Sequence, residues 1–291
     1  MFRFPFRPHF SLDKFSSITQ NIPVQIIDTL FVYLERKDNP LDPKESKTVL
    51  TIARIFALFS IEKEEIGVRE ASQILGIYPS SVYRLFSSLE TCGFLEKNAN
   101  KKYRLGQRIF EIGSLYPYHL SLRKIVQPHA EELARKYDAA AHLAIIRKHP
   151  PYSAIIIDRV NNLQSPSLIH RVSLNVPLHS SGVGKALLAF LPLEKGEEVI
   201  KSLVLTKFTE NTITDRSRLV LELKKIRKNG FATDRGELHP NVFCVGVPIF
   251  QNQKLVGSLS LSTSDKGINE KSDSAVAQFL KERGAFISRQ L

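Results

Sequence analysis

The sequence predicts an α+β protein in two parts: an N-terminal winged helix-turn-helix, and a larger C-terminal α/β domain connected to it by a linker helix. Three observations favour this fold class. Residues 45–106 contain the order helix, helix, glycine turn, helix and basic hairpin, whereas residues 121–291 alternate helical with strand-like segments. The chain of 291 residues is also long enough to bury two hydrophobic cores. Residues 107–120 remain for the linker helix, and residues 1–44 form an unassigned N-terminal extension.

The first two helices are indicated by the spacing of their apolar residues. The segment KTVLTIARIFALFS (47–60) places five of them on one side of a helix, namely Val49, Leu50, Ala53, Phe56 and Ala57. The segment GVREASQILGI (67–77) predicts a second helix, which ends where Gly76 allows the chain to turn.

The third helix is predicted to begin at Pro79, because proline suits the first turn of a helix. Its buried stripe consists of Val82, Leu85, Phe86 and Leu89. Beyond Gly93, FLEK and KYRL predict two short strands around a polar turn. Five basic residues and no acidic residue lie between Lys97 and Arg108, so this hairpin is predicted to be a basic wing.

The polar side of the third helix has the chemistry of a major-groove reader. Short hydroxyl side chains allow close approach to phosphates, and a few long donors can reach base edges. We expect DNA contacts from Ser80, Ser81, Tyr83, Arg84 and Ser87 on this helix, and from Lys101, Lys102 and Arg104 on the wing. The plainer alternative is an ordinary three-helix core with a polar surface helix.

The second part is indicated by alternating patterns. SLRKIVQPHAEELARKY (121–137) is an amphipathic helix, and AAHLAIIR with YSAIIIDRV predicts two strands. LVLELKKIRKNG (219–230) is a helix with a glycine stop. VFCVGVPIF and LVGSLSLS then form a hairpin around QNQK, before a terminal helix over 270–289. This order describes an α/β sensory domain.

Composition narrows the class of protein. The net charge of +12 is not concentrated in the predicted DNA-binding part, since residues 1–119 carry 16 Lys and Arg against 13 Asp and Glu. The two cysteines, Cys92 and Cys244, match no metal-ligand spacing and suggest a reduced compartment. No apolar run approaches the ~18 residues of a membrane span, and no secretory signal is evident. We therefore expect a cytoplasmic protein without a metal site or a membrane partner.

Two enzyme motifs fail residue by residue. GVGK is not a phosphate loop, because His179 stands where the first glycine is needed and Ala186 where serine or threonine is needed. No G-x-S-x-G nucleophile elbow occurs, and a cysteine between apolar residues, such as Cys244, is more often a core residue than a nucleophile. We expect no catalytic residue, no cofactor and no enzymatic activity.

Three segments of the second part resemble the IclR family of transcriptional regulators: VPLHSSGVGKALLAFL (176–191), GFATDRGELHPNVFCVGVPIF (230–250) and LVGSLSLSTS (255–264). Residues 47–116 resemble its winged helix. The resemblance implies a C-terminal effector-binding domain related to GAF folds, a double-stranded DNA operator, a small-molecule effector, and a homodimer or homotetramer. Many members of the family are repressors.

The resemblance also implies an effector pocket. The matching positions are Gly182, Val183, Asp234, Cys244, Ser260 and Ser262, which offer donors, an acid and a thiol in an apolar wall. Such a wall suits a small organic acid, with its carboxylate at the glycine turn and its hydroxyl or hydrated carbonyl at Asp234. Val183 is bulkier than the small residue usual in the family, and Arg235 and Gly236 replace a more acidic stretch.

Two other functions remain open from the sequence. The C-terminal domain could turn over a small acid, with the winged helix in a regulatory role, or the winged helix could be an interaction module without a ligand. Residues 1–44 lie outside the resemblance, and IPVQIIDTLFVYLER (22–36) within them could form an amphipathic helix for dimer contact.

Overall fold

The computed structural model describes residues 46–60, 63–115, 118–148, 150–161, 175–264 and 273–291. The chain divides into two compact units, Met1–Tyr116 and Pro117–Leu291. The N-terminal extension and the amphipathic segment 22–36 lie outside the described residues.

The first unit has the predicted order of a winged helix. Its elements are α1 (Lys47–Phe56), α2 (Val68–Leu75), α3 (Pro79–Thr91), β1 (Leu95–Lys97), β2 (Tyr103–Leu105) and α4 (Gln107–Ser114). Gly76 ends α2 with φ 65°, the left-handed conformation that glycine adopts without strain. Ser72 in the middle of α2 donates from Oγ to the Ile77 carbonyl at 2.6 Å, which stabilises the turn into α3.

The core of this unit is built on α3. Val82, Phe86 and Leu89 are buried, and the ring of Phe86 packs edge-on against Tyr103 of β2 at 4.8 Å between centroids. The buried side of α1 differs from the prediction, because Val49 is 63% exposed while Ile55 is fully buried. The predicted buried face of α1 is rotated by about one residue from the observed one. Apolar residues surround most of this short helix, so their spacing does not define a single face.

The predicted linker helix over 107–120 is not one helix. The structure ends α4 at Ser114 and begins α5 at Tyr118, in the other compact unit. The sequence carries Pro117 between them, and proline is unfavourable inside a helix because it lacks the N–H donor.

The described residues of the second unit form a six-stranded antiparallel sheet with helices on both faces. Its elements are α5 (Tyr118–Tyr137), β3 (Ala140–Ile146), β4 (Ala154–Asn161), β5 (Asn175–Val176), α6 (Gly182–Ala189), α7 (Leu193–Ser202), α8 (Arg216–Asn229), β6 (Ala232–Arg235), β7 (Val242–Gln251), β8 (Lys254–Ser264) and α9 (Asp273–Gln290). The strand order is β5-β4-β3-β8-β7-β6.

The two faces of this sheet have separate cores. Residues of α5 and α9, such as Leu133 and Leu280, pack with Val247 and Leu259 on one face. The other face is covered by α6 and α8, where Leu187 and Leu219 belong to a second buried cluster. Because side chains alternate along a strand, the polar residues of β3, β7 and β8 that fall on the α6 face share one surface.

The strand register brings distant residues together on that α6 face. Cys244 is paired with Asp234 on one side and Ser262 on the other, and Ser260 is paired with Gly246 and His142. Across the described ranges, no helix is long and apolar enough to cross a membrane. The same ranges contain no group of three or more His, Cys, Asp or Glu placed to hold a metal ion.

Candidate effector cavity and DNA-binding surface

The outer side of α3 is exposed as the sequence predicted. Ser80, Tyr83 and Arg84 are exposed, Tyr83 by 55%, and Ser81 and Ser87 are partly covered. No side chain caps the N-terminus of α3, whose first residue is Pro79. This end of the helix can therefore offer backbone N–H groups and a positive dipole end to a phosphate.

Of the three basic residues predicted to contact DNA from the wing hairpin, two are exposed without an acidic partner among the described residues, and the third is paired with a glutamate. Lys101 and Lys102 are exposed at the turn, where Lys101 has φ 60° and Asn98 Oδ1 accepts the Lys102 N–H at 3.0 Å. Arg104 instead donates to Glu96 Oε2 across the hairpin, from Nε at 3.1 Å and from Nη2 at 2.9 Å. A phosphate must compete with Glu96 for Arg104. Lys101 and Lys102 have no acidic partner among the described residues, so a phosphate can bind them without such competition.

A small cavity lies between the start of α6 and the face of the sheet. Its lining consists of His142, Ile156, Val176, Ser181, Gly182, Val183, Asp234, Cys244, Ser260 and Ser262. All six residues selected from the sequence are brought together here, although they come from four different elements. The cavity is nearly filled by its own side chains, because its volume of about 10 Å³ suffices for one water molecule.

The glycines around the cavity allow α6 to lie directly on β7. A Cβ atom on Gly182 would come within 3.0 Å of Cys244 Cβ, and one on Gly246 within 2.5 Å of the Gly182 carbonyl oxygen. Ser181 caps the helix, because its Oγ accepts from Gly184 N–H at 3.1 Å and donates to the Pro177 carbonyl at 2.7 Å. The N-terminal turn of α6 is thus fixed at the cavity wall.

A chain of polar atoms crosses the floor of the cavity. Cys244 Sγ lies 3.0 Å from Ser262 Oγ, which lies 3.4 Å from His142 Nδ1. Burial raises the pKa of the Cys244 thiol above its usual range, and the nearby Asp234 adds to the effect. The sulfur is therefore a neutral thiol at physiological pH.

A second group of polar residues, all buried, lies at the β6 end. The Glu237 N–H donates to Asp234 Oδ1 at 2.7 Å, and Lys185 Nζ donates to Glu237 Oε1. Asp234 Oδ2 and Glu237 Oε2 have no hydrogen-bond partner among the described residues. Burial raises the pKa of Asp234 to about 7, although the Glu237 N–H acts to lower it. Burial also raises the pKa of Glu237, although Lys185 acts to lower it.

Sequence reasoning missed Lys185, Glu237 and His142 as parts of this site. Lys185 entered only through the rejected phosphate loop, yet it is fully buried. The available signal was a lysine inside the otherwise apolar run GVGKALLAFL, since a lysine is rarely buried without a partner. A single histidine in the apolar strand AAHLAII was the equivalent signal for His142.

Comparison with known proteins gives matches along both units. A family model described as the IclR helix-turn-helix domain matches residues 51–99, and one described as the bacterial transcriptional regulator IclR C-terminal matches residues 115–289. The HTH-type transcriptional regulator KipR of Bacillus subtilis (strain 168) is 29% identical over 248 residues, which are 85% of this chain and 98% of KipR.

Solved structures share the fold at lower identity. An IclR family transcriptional regulator from Brucella abortus aligns with a TM-score of 0.76 at 22% identity, over 89% of this chain and 97% of that one. An IclR homolog from Microbacterium hydrocarbonoxydans, complexed with 4-hydroxybenzoate, aligns with a TM-score of 0.69 at 22% identity, over 84% of this chain and 98% of that one.

Proposed function

The chain belongs to the IclR family and is a DNA-binding transcriptional regulator controlled by an effector. On this premise, we propose that a small organic acid bound in the α6 cavity changes the affinity of the protein for an operator contacted by α3. The observation that carries the proposal is the convergence of Gly182, Val183, Asp234, Cys244, Ser260 and Ser262 on one cavity. We further propose that the protein is a repressor, released from DNA by the acid.

The carboxylate of the acid is proposed to lie at the N-terminal turn of α6. Unpaired backbone N–H groups and the positive end of the helix dipole favour an anion at such a position. Ser260 and Ser262 lie two residues apart on β8, so both hydroxyls face the same cavity and can donate to the ligand. Because the cavity has room for only one water, the ligand must displace side chains when it enters, and Val183 on the first turn of α6 is one of the side chains at the wall.

The chemistry of the cavity favours binding over turnover. A cysteine nucleophile requires the thiolate, but burial raises the pKa of Cys244 and keeps it as the thiol. The relatives matched above are regulators, and turnover of a small acid is the alternative that a product assay with the purified protein tests. We propose that the protein is not an enzyme and works on DNA in the cytoplasm.

The surface of α4 supports assembly into a homodimer or a homotetramer. Phe110, Ile112 and Leu115 are exposed by 77%, 46% and 74%. Exposing three large apolar side chains to water on one eight-residue helix and the residue that follows it is costly. A second copy of the chain could cover them, and two copies are also needed to bind an operator with two-fold symmetry.

Operator binding in the presence of candidate acids tests the proposal. Fluorescence anisotropy with a labelled DNA fragment from upstream of the gene gives the operator affinity, and a panel of small carboxylic acids including 4-hydroxybenzoate is titrated into the complex. We expect an acid to weaken operator binding by wild type, and to have no such effect on Ser260→Ala, whose affinity without acid is unchanged.

Thr263→Val is the matched control for this experiment. Thr263 follows Ser262 on β8 and projects to the opposite face, and its buried Oγ1 has no hydrogen-bond partner in the described part of the chain. This variant should respond to the acid like wild type. An acid response that survives Ser260→Ala in full would show that the ligand binds elsewhere.

A further inference from the structure

Asp234 presents only one free oxygen to the cavity. Its side chain is buried, with 1% of the residue exposed, and its Oδ1 already accepts the Glu237 N–H at 2.7 Å. The Leu238 N–H also lowers the pKa of this carboxyl, but the effect of burial is larger. The other oxygen, Oδ2, has no partner within the described ranges, in a residue that lines the cavity. A buried carboxylate oxygen without a donor is costly, and the cost falls when the group is protonated or when a ligand donates to it.

The positive charge that acts on Asp234 from the described residues is already paired with another carboxylate. Those that face it from the packed elements are Lys185 of α6, Cys244 of β7, His142 of β3 and Glu237 of the turn after β6. The charge of Lys185 lowers the pKa of Asp234, but its ammonium donates its hydrogen bond to Glu237 Oε1. An ionised Asp234 together with Glu237 would place two carboxylates against one ammonium in a buried site, which leaves one negative charge without compensation.

We propose that Asp234 meets the effector as a neutral carboxylic acid whose Oδ2–H donates a hydrogen bond to an oxygen of the ligand. This inference rests on the proposed function, because it concerns the same cavity. It reverses the role expected from the sequence, in which an ionised Asp234 accepts a hydroxyl of the effector. The raised pKa of this carboxyl supports the neutral form, since burial moves it into the neutral range.

The donor role defines the class of ligand. One end of the molecule must be a carboxylate, held at the start of α6 by backbone N–H groups and by the serines of β8. The other end must present an acceptor oxygen to Asp234, as the carbonyl of an oxo acid or the second carboxylate of a dicarboxylic acid does. A second anionic group can be accommodated, because a neutral Asp234 does not repel it as an ionised carboxylate would.

The pH dependence of ligand binding tests the proposal, with pyruvate as the probe because it is a small 2-oxo acid. Isothermal titration calorimetry at pH 6 and pH 8 uses the full-length wild type, Asp234→Asn and His142→Gln. The protonated fraction of Asp234 falls about tenfold between these pH values, so wild type should bind pyruvate about tenfold more weakly at pH 8. Asp234→Asn keeps a neutral N–H donor of the same shape and should bind equally at both pH values.

His142→Gln removes the imidazole that lines the cavity beside Asp234. This variant should retain the tenfold dependence. Loss of the dependence in His142→Gln together with its retention in Asp234→Asn would overturn the proposal.

A measurement without a ligand decides the matter if pyruvate does not bind or if Asp234→Asn does not fold. Infrared spectroscopy of wild type containing ¹³C-labelled aspartate should show the C=O band of a protonated carboxyl at pH 6, which disappears as the pH rises to 8. The label excludes Glu237 from the signal. Absence of the band at pH 6 overturns the proposal. Presence of the band with no binding of any small acid instead contradicts the proposed effector class and leaves the neutral Asp234 intact.

Discussion

The burial of Asp234 predicts how the stability of the second unit depends on pH. Because the pKa of this acid is raised from 3.8 to about 7 in the folded state, folding takes up a proton between these values, and the stability falls as the pH rises through the window. Linkage with these pKa values gives a loss of roughly 2–3 kcal/mol between pH 5 and pH 8 from this group alone. Asp234→Asn has no such proton, so its free energy of unfolding should gain roughly 2–3 kcal/mol relative to wild type over the same range.

Urea unfolding followed by far-ultraviolet circular dichroism measures this difference. The protein contains no tryptophan, so backbone dichroism reports the two units more directly than fluorescence. Only the difference between variant and wild type is interpreted, because the raised pKa of Glu237 contributes to the trend of both proteins.

Glu210→Gln is the matched control, since the Glu210 side chain is 90% exposed in the same unit. Its stability relative to wild type should not change with pH in this direction. A constant difference between Asp234→Asn and wild type from pH 5 to pH 8 would refute the reasoning, because it would mean that Asp234 is ionised in the folded protein throughout this range.

Three further predictions concern the DNA-binding surface, the packing of α6 and the assembly of the chain. Arg84→Ala should weaken binding to the cognate operator by about 1–3 kcal/mol and relax its specificity, whereas Lys101→Ala should weaken binding to all DNA about equally and reduce the salt dependence. Anisotropy titrations at several salt concentrations distinguish the two effects. Unchanged operator affinity in Arg84→Ala would contradict the assignment of α3 as the helix that contacts the bases. Gly246→Ala should destabilise the protein by about 1–3 kcal/mol in urea, because the added Cβ meets a carbonyl at 2.5 Å. Gly196→Ala in α7, where the nearest atom is at 3.9 Å, should not, and equal midpoints would contradict the close contact of α6 with β7. Phe110→Ser should lower the mass measured by light scattering towards that of the monomer, and a wild type that is already monomeric while binding the operator would exclude the assembly through α4.

The elements that the sequence predicted best are those with local signals. The bounds of α3 follow from Pro79 and from the apolar stripe of Val82, Phe86 and Leu89, all within one short segment. The positions of Ser260 and Ser262 on a common face follow from the period of two along a strand. Local patterns of this kind need no knowledge of the tertiary structure.

The parts that could not be predicted depend on long-range pairing. Lys185 and Glu237 are 52 positions apart, and His142 and Ser262 are 120 apart, so only the sheet register and the position of α6 bring them together. The raised pKa of Asp234 depends on burial by all these elements at once. The break between α4 and α5 was missed because the apolar pattern of QRIFEIGSLYPY continued to favour a single helix.

The buried, neutral thiol of Cys244 at the floor of the cavity allows opening of the cavity to be measured without an added probe. The sequence has only two cysteines, of which Cys92 is exposed at the end of α3 and Cys244 is buried against Ser262. An alkylating reagent should therefore label Cys92 at once and Cys244 only in those moments when the cavity opens to solvent. In a Cys92→Ser variant, the rate of labelling at Cys244 gives the frequency of opening directly, and a molecule that fills the cavity should protect this sulfur in proportion to its occupancy. Candidate effectors can thus be ranked by mass spectrometry before any operator is known.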